Sequence, residues 1–330
     1  MCSIDAIPRS ARLRSVYGDR VARRPASSRR PPTPGPEPAP WPSGPVTVAT
    51  GTAEVVPEPG RPRAATLLVN GVPSSFVDLD DADLLDFEYM QQMGAVVDLL
   101  AAARPDPAVL HLGGGGCALA RAVAHRHPGA RQLAVELDGE LARLVRTWFA
   151  LPRAPRLRLR TGEARTELAR LPDASFDVVV RDVFAGDRTP EHLTTLEAAR
   201  EAARVLRPGG VLLANCADRP PLGLARAEAA TLRAVFRHVA VVAEPGQLRG
   251  RHYGNLVLAG TDEDGLLDDP SLARTLRTLP VPARVLVGPE LEAFTGAATV
   301  RTDPEPWRPA EPADAPDQHE RADAGPASPG

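Results

Sequence analysis

Four runs rich in β-branched residues open the part of the chain that has a hydrophobic pattern. They are Val46–Thr50, Ala53–Val56, Thr66–Asn70 and Ser75–Leu79. Asn70-Gly71 precedes the last run and is a strong hairpin signal, because both residues tolerate positive φ angles. The pattern predicts a small antiparallel lead-in sheet. A helix follows over about residues 84–103, and Asp83 is its predicted cap.

From residue 108 the pattern changes to strands that alternate with helices. The predicted strands are Val109–Leu112, Leu133–Leu137, Leu157–Arg160, Phe176–Val180, Val211–Ala214, Val239–Ala243 and Asn255–Ala259. The predicted helices cover about 117–127, 141–149, 195–206 and 224–236. This alternation indicates an α/β, Rossmann-like sheet whose parallel strands are joined by right-handed crossovers. Ligands of such sheets bind at the carboxyl ends of the strands.

Neither end of the chain has a hydrophobic period, and both are rich in proline. Such segments bury too little apolar surface to offset the entropy of ordering. We therefore predict disordered tails over 1–45 and 301–330. The lead-in sheet and its helix then occupy 46–104, a nucleoside-binding domain 105–262 and a C-terminal extension 263–300.

Charge and composition exclude several classes of function. The net charge is −3 and the pI about 6.2, which argues against general nucleic-acid binding. All 39 basic residues are arginine, so Schiff-base chemistry and a phosphate-binding loop lysine are excluded. The three scattered cysteines predict a reducing compartment and no metal site. Because no apolar run is long enough for a membrane span, we expect a cytoplasmic protein.

Four consecutive glycines, Gly113, Gly114, Gly115 and Gly116, lie between the first strand of this region and its helix. Glycine lets the backbone approach a ligand closely, and the helix start offers free N–H groups. Glu136 ends the next strand, where a carboxylate can accept both hydroxyls of a ribose. Loop and acid together predict a nucleoside site. The glycine spacing alone fits nicotinamide, flavin and sulfonium cofactors.

Later acids narrow the choice of cofactor. Glu163 follows the third strand, where an acid can bind an adenine amino group, and Asp182 follows the fourth strand. Asp138 is a further candidate for cofactor binding, or else it caps the next helix. With the turn Leu206–Gly210, these features resemble the class I S-adenosylmethionine-dependent transferase fold. The fold class is therefore a Rossmann-like, class I methyltransferase-type sheet behind a small β-rich lead-in.

The lead-in sheet, its helix, Leu110–Gly116, Val135–Asp138 and Asp177–Asp182 together resemble the spermidine synthase (polyamine aminopropyltransferase) family over about residues 50–260. The resemblance implies decarboxylated S-adenosylmethionine as cofactor and aminopropyl transfer to an amine. It makes Asp182 the candidate base for the attacking nitrogen and a contact of the cofactor. It also implies a gate loop around residues 187–195 and a possible homodimer through the lead-in sheet.

The chain departs from the family at three places. Gly116 stands where the family's loop carries the acid that holds the cofactor's aminopropyl ammonium. The family's Tyr-His-Glu-Met stretch corresponds to Phe87–Met90, in which Glu88 and Tyr89 are the candidate substrate-binding residues. The second acid of the family's Asp-x-x-Asp motif is also displaced, so that Asp187 becomes the candidate.

These departures leave three functions open. The first is aminopropyl transfer from decarboxylated S-adenosylmethionine to a small amine. The second is methyl transfer from intact S-adenosylmethionine to a small amine or other nucleophile, because a loop without its acid no longer repels a carboxylate. The third is cofactor binding without transfer. None of the three uses a metal, a nucleic acid or a membrane.

Overall fold

The computed structural model describes residues 41–186, 188–305 and 307. A four-stranded antiparallel sheet comes first, in the order β1-β2-β3-β4. Its strands are β1 Val46–Val48, β2 Gly51–Glu58, β3 Arg61–Val69 and β4 Val72–Asp78. Asn70 and Gly71 form the two-residue turn between β3 and β4, with φ angles of 52° and 78°. The predicted hairpin is confirmed, because only residues that tolerate positive φ close so short a turn.

A second sheet of eight strands forms the centre of the molecule, in the order β12-β10-β11-β9-β8-β5-β6-β7. Its strands are β5 Ala108–Leu112, β6 Arg131–Glu136, β7 Arg158–Thr161, β8 Phe176–Arg181, β9 Leu206–Asp218, β10 His238–Ala243, β11 Gly254–Thr261 and β12 Arg284–Leu286. The strand pairs β6–β7, β5–β6, β5–β8 and β8–β9 are parallel. The pairs that involve β10 or β11 are antiparallel. The α/β class and the Rossmann-like sheet are confirmed. The C-terminal extension adds β12, which the sequence did not indicate.

Nine α-helices lie among the described residues. They are α1 Glu88–Ala103, α2 Ala118–Arg126, α3 Gly139–Trp148, α4 Ala164–Ala169, α5 Leu196–Val205, α6 Gly223–Arg233, α7 Pro245–Leu248, α8 Pro270–Thr278 and α9 Gly288–Thr295. The first helix begins at Glu88 rather than at residue 84, with Phe87 at the N-cap position. Asp83 is therefore not its cap, and its carboxylate bonds Arg126 and His125 instead.

The central sheet is buried on both faces, which explains its apolar strands. On β8, Val178 and Val180 pack with the lead-in sheet and α1–α3, whereas Val179 packs on the opposite side with α4, α5 and α6. Alternate residues of a strand point to opposite faces, so a strand covered on both sides is apolar at every position. The three layers hold the carboxyl ends of β5, β6, β7 and β8 along one edge.

The described residues run beyond the predicted boundaries of the folded part at both ends. Trp41 packs on Phe149 with ring centroids 5.9 Å apart, although the lead-in was expected to begin at residue 46. After residue 300, Asp303 makes a bidentate ion pair with Arg165, at 2.6 and 2.8 Å. Asp303 is therefore held against α4. The hydrophobic period of a sequence cannot show a distant ion-pair partner.

Candidate functional site

The glycine loop joins β5 to α2 in a conformation that other residues would not fit. Gly113 and Gly115 have φ angles of 90° and 46°. A side chain at Gly113 would place its Cβ 2.1 Å from the backbone oxygen of Asp182. The loop therefore passes directly against the end of β8. This close approach leaves a cradle of bare backbone at the edge of the sheet.

Glu136 ends β6 and fixes the shape of this loop. One of its carboxylate oxygens accepts hydrogen bonds from the N–H groups of Gly114 and Gly115, at 3.0 and 2.9 Å. The other accepts from the N–H of Asp138 at 3.1 Å. Glu136 remains partly exposed. The predicted strand–glycines–acid arrangement thus comes together at one place, with a carboxylate at its open side.

Asp138, by contrast, is only 1% exposed and serves the fold. Its carboxylate caps α3 by accepting from the N–H of Leu141 at 2.9 Å, and it accepts from Thr50 of the lead-in sheet at 2.6 and 2.8 Å. Burial raises the pKa of Asp138, but these hydrogen bonds outweigh burial and lower it. Of the two roles considered for Asp138, the structure contains the helix cap.

Glu163, like Asp138, caps the start of a helix. It is the N-cap residue of α4, but it stays partly exposed. Its carboxylate accepts from the N–H groups of Arg165 and Thr166, at 2.9 and 2.7 Å. His192 Nε2 lies 3.0 Å from the same carboxylate. Partial burial raises the pKa of Glu163, and the hydrogen bonds more than reverse that effect. The predicted adenine-binding acid therefore faces the site from a neighbouring strand end, in contact with the gate loop.

Asp182, directly after β8, has different surroundings. Tyr89 of α1 donates its hydroxyl hydrogen to one carboxylate oxygen at 3.0 Å, and the Asn215 amide of β9 donates to the other at 2.9 Å. Burial raises the pKa of Asp182, and the bonds from Asn215 and Tyr89 only partly oppose this. Part of the residue is nevertheless exposed. A carboxyl with a raised pKa at an accessible edge is suited to proton transfer.

Glu88, one of the two candidate substrate-binding residues, lies at the first position of α1 next to Tyr89. Burial raises its pKa, a hydrogen bond from Asn255 of β11 lowers it, and the nearby carboxylates of Glu244 and Asp86 raise it further. Three acids, Glu88, Asp86 and Glu244, therefore lie near one another at the start of α1. Asp187, the third candidate, lies outside the described residues.

Cys117 lies at the N-cap of α2, where a helix start can lower the pKa of a thiol. Burial and the neighbouring Glu136 instead raise the pKa of Cys117 to about 12. The side chain is 5% exposed and packs in the core.

Sequence reasoning missed two residues that complete the site. Asn215, which fixes Asp182, is separated from it by 33 positions. Ser75 of β4 accepts a hydrogen bond from the N–H of Gly116 at 2.9 Å, so the lead-in sheet covers the end of the loop. A polar residue at the end of an apolar strand is the signal that could have drawn attention to Asn215. Ser75 offered no comparable signal.

Within the described ranges, no group of three or more His, Cys, Asp or Glu side chains is placed to hold a metal ion. No helix of that part of the chain has both the length and the apolar character needed to cross a membrane.

Comparisons with known proteins place this geometry in a class. The family described as a methyltransferase domain matches residues 110–214. A crystal structure of spermidine synthase from Thermotoga maritima, at 18% identity and a TM-score of 0.54, covers 70% of this chain and 76% of its own. The loop, the strand-end acids and this likeness define the class I S-adenosylmethionine-dependent transferase fold.

The family follows from more similar proteins. A probable spermidine synthase from Corynebacterium glutamicum ATCC 13032 is 38% identical, with a TM-score of 0.75, over 79% of this chain and 96% of that one. The polyamine aminopropyltransferase of Vibrio vulnificus (strain CMCP6) is 32% identical over 130 residues, which is 39% of this chain. The matched region spans 43% of that relative's length. The chain belongs to the spermidine synthase-like family.

Proposed function

We propose that this protein is a transferase that binds an S-adenosyl sulfonium cofactor and passes its aminopropyl group to a small amine. The observation that carries the proposal is the juxtaposition of two features. The Gly113 loop, held by Glu136, passes so close to Asp182 that a Cβ added at Gly113 would lie 2.1 Å from the Asp182 backbone oxygen. A nucleoside held by the loop would therefore lie beside the segment that carries Asp182, a partly exposed residue. The similar proteins are named as a polyamine aminopropyltransferase and a probable spermidine synthase, and both names agree with aminopropyl transfer.

The residues present fit the nucleoside part of such a cofactor. The cradle is glycine backbone, and the Gly113 position admits no side chain because a Cβ there would lie 2.1 Å from the Asp182 backbone oxygen. Glu136 is the acceptor for ribose hydroxyls, and Glu163 is the acceptor for the base amino group. Leu137, which is 61% exposed between Glu136 and the α3 cap, offers an apolar surface to the base. When bound, the sulfonium supplies an electrophilic carbon and a neutral thioether leaving group.

Asp182 acts on the acceptor. Tyr89 and Asn215 hold its carboxylate, and its raised pKa favours acceptance of a proton. In this reaction Asp182 would accept the proton that the acceptor nitrogen loses as the nitrogen bonds to the carbon next to sulfur and the thioether leaves. Glu88 and its acidic neighbours then stabilise the cationic part of the acceptor. An ammonium group is costly to bury unless acids accompany it.

One observation favours methyl transfer as a second candidate function. A side chain at Gly116 would place its Cβ 2.6 Å from the Cβ of Ser75. The acid that the family carries at this position therefore does not fit while Ser75 covers the loop. The end of the cradle lacks the carboxylate that would bind an ammonium tail and repel the carboxylate of intact S-adenosylmethionine.

Calorimetric titration with the two cofactors separates these functions. Aminopropyl transfer predicts that decarboxylated S-adenosylmethionine binds at least as tightly as the intact form. With 1,4-diaminobutane as the acceptor probe, it also predicts release of methylthioadenosine. A tenfold preference for the intact form, about 1.4 kcal/mol, would contradict aminopropyl transfer and favour methyl transfer. Binding of neither nucleoside would contradict both.

The Glu136→Gln variant links binding to the cradle. The change replaces one acceptor oxygen by a donor that faces backbone N–H groups. A hydrogen bond to a charged group contributes about 1.5–3 kcal/mol, so cofactor affinity should fall roughly 10- to 100-fold. Glu140→Gln is the matched control, because Glu140 follows on α3 and its carboxylate pairs with Arg143 at the surface. Its affinity should match that of the wild type.

A further inference from the structure

Arg181, the last residue of β8, places a positive charge inside the protein next to Asp182. Its side chain is 5% exposed. A buried guanidinium is costly unless it is paired and hydrogen-bonded. The partner is Glu228 of α6, which is also 5% exposed and makes a close contact with the guanidinium. This buried pair lies beside the proposed base without being part of the cofactor cradle.

The guanidinium also connects the two segments that flank Asp182. It donates to the backbone oxygen of Asn215 at 2.8 Å, and Asn215 is the residue whose amide holds Asp182. It donates to the backbone oxygen of Leu193 at 3.0 Å, near the C-terminal end of the gate loop expected around residues 187–195. Only the planar fork of arginine can reach three such acceptors together. One side chain thus joins α6, β9 and the gate loop.

Two other arginines hold the neighbouring residues of the loop. Arg165 donates to the backbone oxygen of His192 at 2.9 Å, and Arg301 donates to the Thr194 hydroxyl at 3.0 Å. Three consecutive residues, 192 to 194, are therefore each held by a different arginine. The C-terminal end of the gate loop is anchored to the body of the protein, and Arg181 is the anchor that also contacts the segment behind Asp182.

We propose that Arg181 is a positioning residue of this site: it fixes the end of the gate loop and the Asn215 segment around Asp182. The inference rests on the proposed function, in which Asp182 is the base. Arg181 contacts neither the acceptor nor the cofactor in this account. It acts through Leu193 and Asn215, and through its charge.

The charge has a measurable consequence. Three groups face the Asp182 carboxylate: the Tyr89 hydroxyl from α1, the Asn215 amide from β9 and the Arg181 guanidinium from β8. Burial raises the pKa of Asp182, and Arg181 is one of the groups that lower it. Removal of the guanidinium should therefore raise this pKa further. A residue that merely filled space would leave the pKa unchanged.

The test uses the full chain without ligand, so it does not depend on turnover. In the double variant Arg181→Met/Glu228→Met, apolar side chains replace both charges of the buried pair. Proteins often keep their stability when a buried ion pair is replaced in this way. Hydrogen exchange of the amides of residues 191–195 should become at least tenfold faster. The pKa of Asp182, followed by carbon NMR of its carboxyl group, should rise. Arg204→Met is the control. Arg204 donates hydrogen bonds to the backbone oxygens of Leu171 and Leu168, which lie away from the site. This variant should change neither the exchange rates nor the pKa of Asp182.

The conservative variant Arg181→Lys separates the two effects and gives the answer if the double variant does not fold. Lysine keeps the charge but not the fork, so the loop amides should exchange faster while the pKa of Asp182 stays close to the wild-type value. Unchanged exchange at residues 191–195 in Arg181→Lys would overturn the proposal. Faster exchange in the double variant with an unmoved Asp182 pKa would also overturn it, because Arg181 would then be structural only. Failure of the proposed function is read separately, from wild-type calorimetry.

Discussion

Two acids that follow consecutive strands of the chain have opposite surroundings. Glu163, after β7, accepts hydrogen bonds from the backbone at a helix start, and its pKa is lowered. Asp182, after β8, accepts from two neutral side chains, and burial raises its pKa. Backbone N–H groups at a helix start stabilise a carboxylate, whereas a buried site disfavours it. Chemically similar residues at two strand ends, which β5 and β6 separate in the sheet, are thus suited to different tasks.

In the proposed function, this difference divides the site into a binding half, formed by the glycine loop with Glu136 and Glu163, and a reacting half around Asp182. Glu136 and Glu163 accept hydrogen bonds from backbone N–H groups, and the pKa of Glu163 is lowered, which suits recognition of hydroxyl and amino groups. Asp182 gains a proton more readily, which suits chemistry. The two halves meet where the Gly113 loop passes the backbone of Asp182. Substitutions should therefore affect binding and turnover separately.

The largest expected effect follows from Asp182→Asn. Removal of a general base typically lowers turnover by about 10²- to 10⁴-fold, and the cofactor Kd should stay within about threefold because the cradle is intact. A raised pKa means that the buried carboxylate contributes stability at low pH that is lost as pH rises through the folded pKa. The Tm of the variant at pH 8 should therefore equal or exceed that of the wild type.

Steady-state kinetics and a thermal melt check this prediction. Asp173→Asn is the control, because Asp173 is an exposed acid paired with Arg204 on a preceding loop. Unchanged turnover in Asp182→Asn would remove the distinction between the two halves.

A smaller effect is expected for Tyr89→Phe. The variant loses one hydrogen bond to a carboxylate, which contributes about 1.5–3 kcal/mol in proteins, and Asn215 retains the other. The pKa of Asp182 should rise, and kcat should fall by roughly tenfold with its acid limb moved to higher pH. A pH profile of kcat checks this. An effect on cofactor Kd with no change in kcat would assign Tyr89 to the binding half instead.

The last prediction concerns stability rather than turnover, and it tests whether burial lowers the pKa of a base as it raises the pKa of Asp182. His111 of β5 is bonded to Gln132 and buried, and burial lowers its pKa from 6.5 to about 4. The unfolded chain then binds a proton from pH 6.5 downwards and the folded chain only near pH 4. Stability should fall between these values, by at most about 1.4 kcal/mol per pH unit. Urea unfolding of wild type and His111→Gln at pH 7, 5.5 and 4.5 measures it; parallel curves would contradict it.

The fold and the binding half could be predicted from the sequence because their signals are local. Glycines between a strand and a helix, an acid one strand later and Asn70-Gly71 in a hairpin each depend on neighbouring residues. The reacting half is assembled from distant ones: Tyr89 and Asn215 lie 93 and 33 positions from Asp182.

Two features lie beyond what a local pattern shows. Cys117 lies at a helix start, but burial beside Glu136 outweighs that position and raises its pKa. The proline-rich C-terminal segment has no hydrophobic period, yet Asp303 pairs with Arg165 across 138 positions. Neither burial nor a distant partner is visible in a local pattern.

The most direct test of the account measures cofactor Kd and turnover on the same preparations of Glu136→Gln and Asp182→Asn. The account predicts that Glu136→Gln weakens binding of decarboxylated S-adenosylmethionine roughly 10- to 100-fold. It predicts that Asp182→Asn keeps the wild-type Kd and loses turnover of the 1,4-diaminobutane probe. Equal losses of affinity in both variants, or turnover by Asp182→Asn at the wild-type rate, would contradict it.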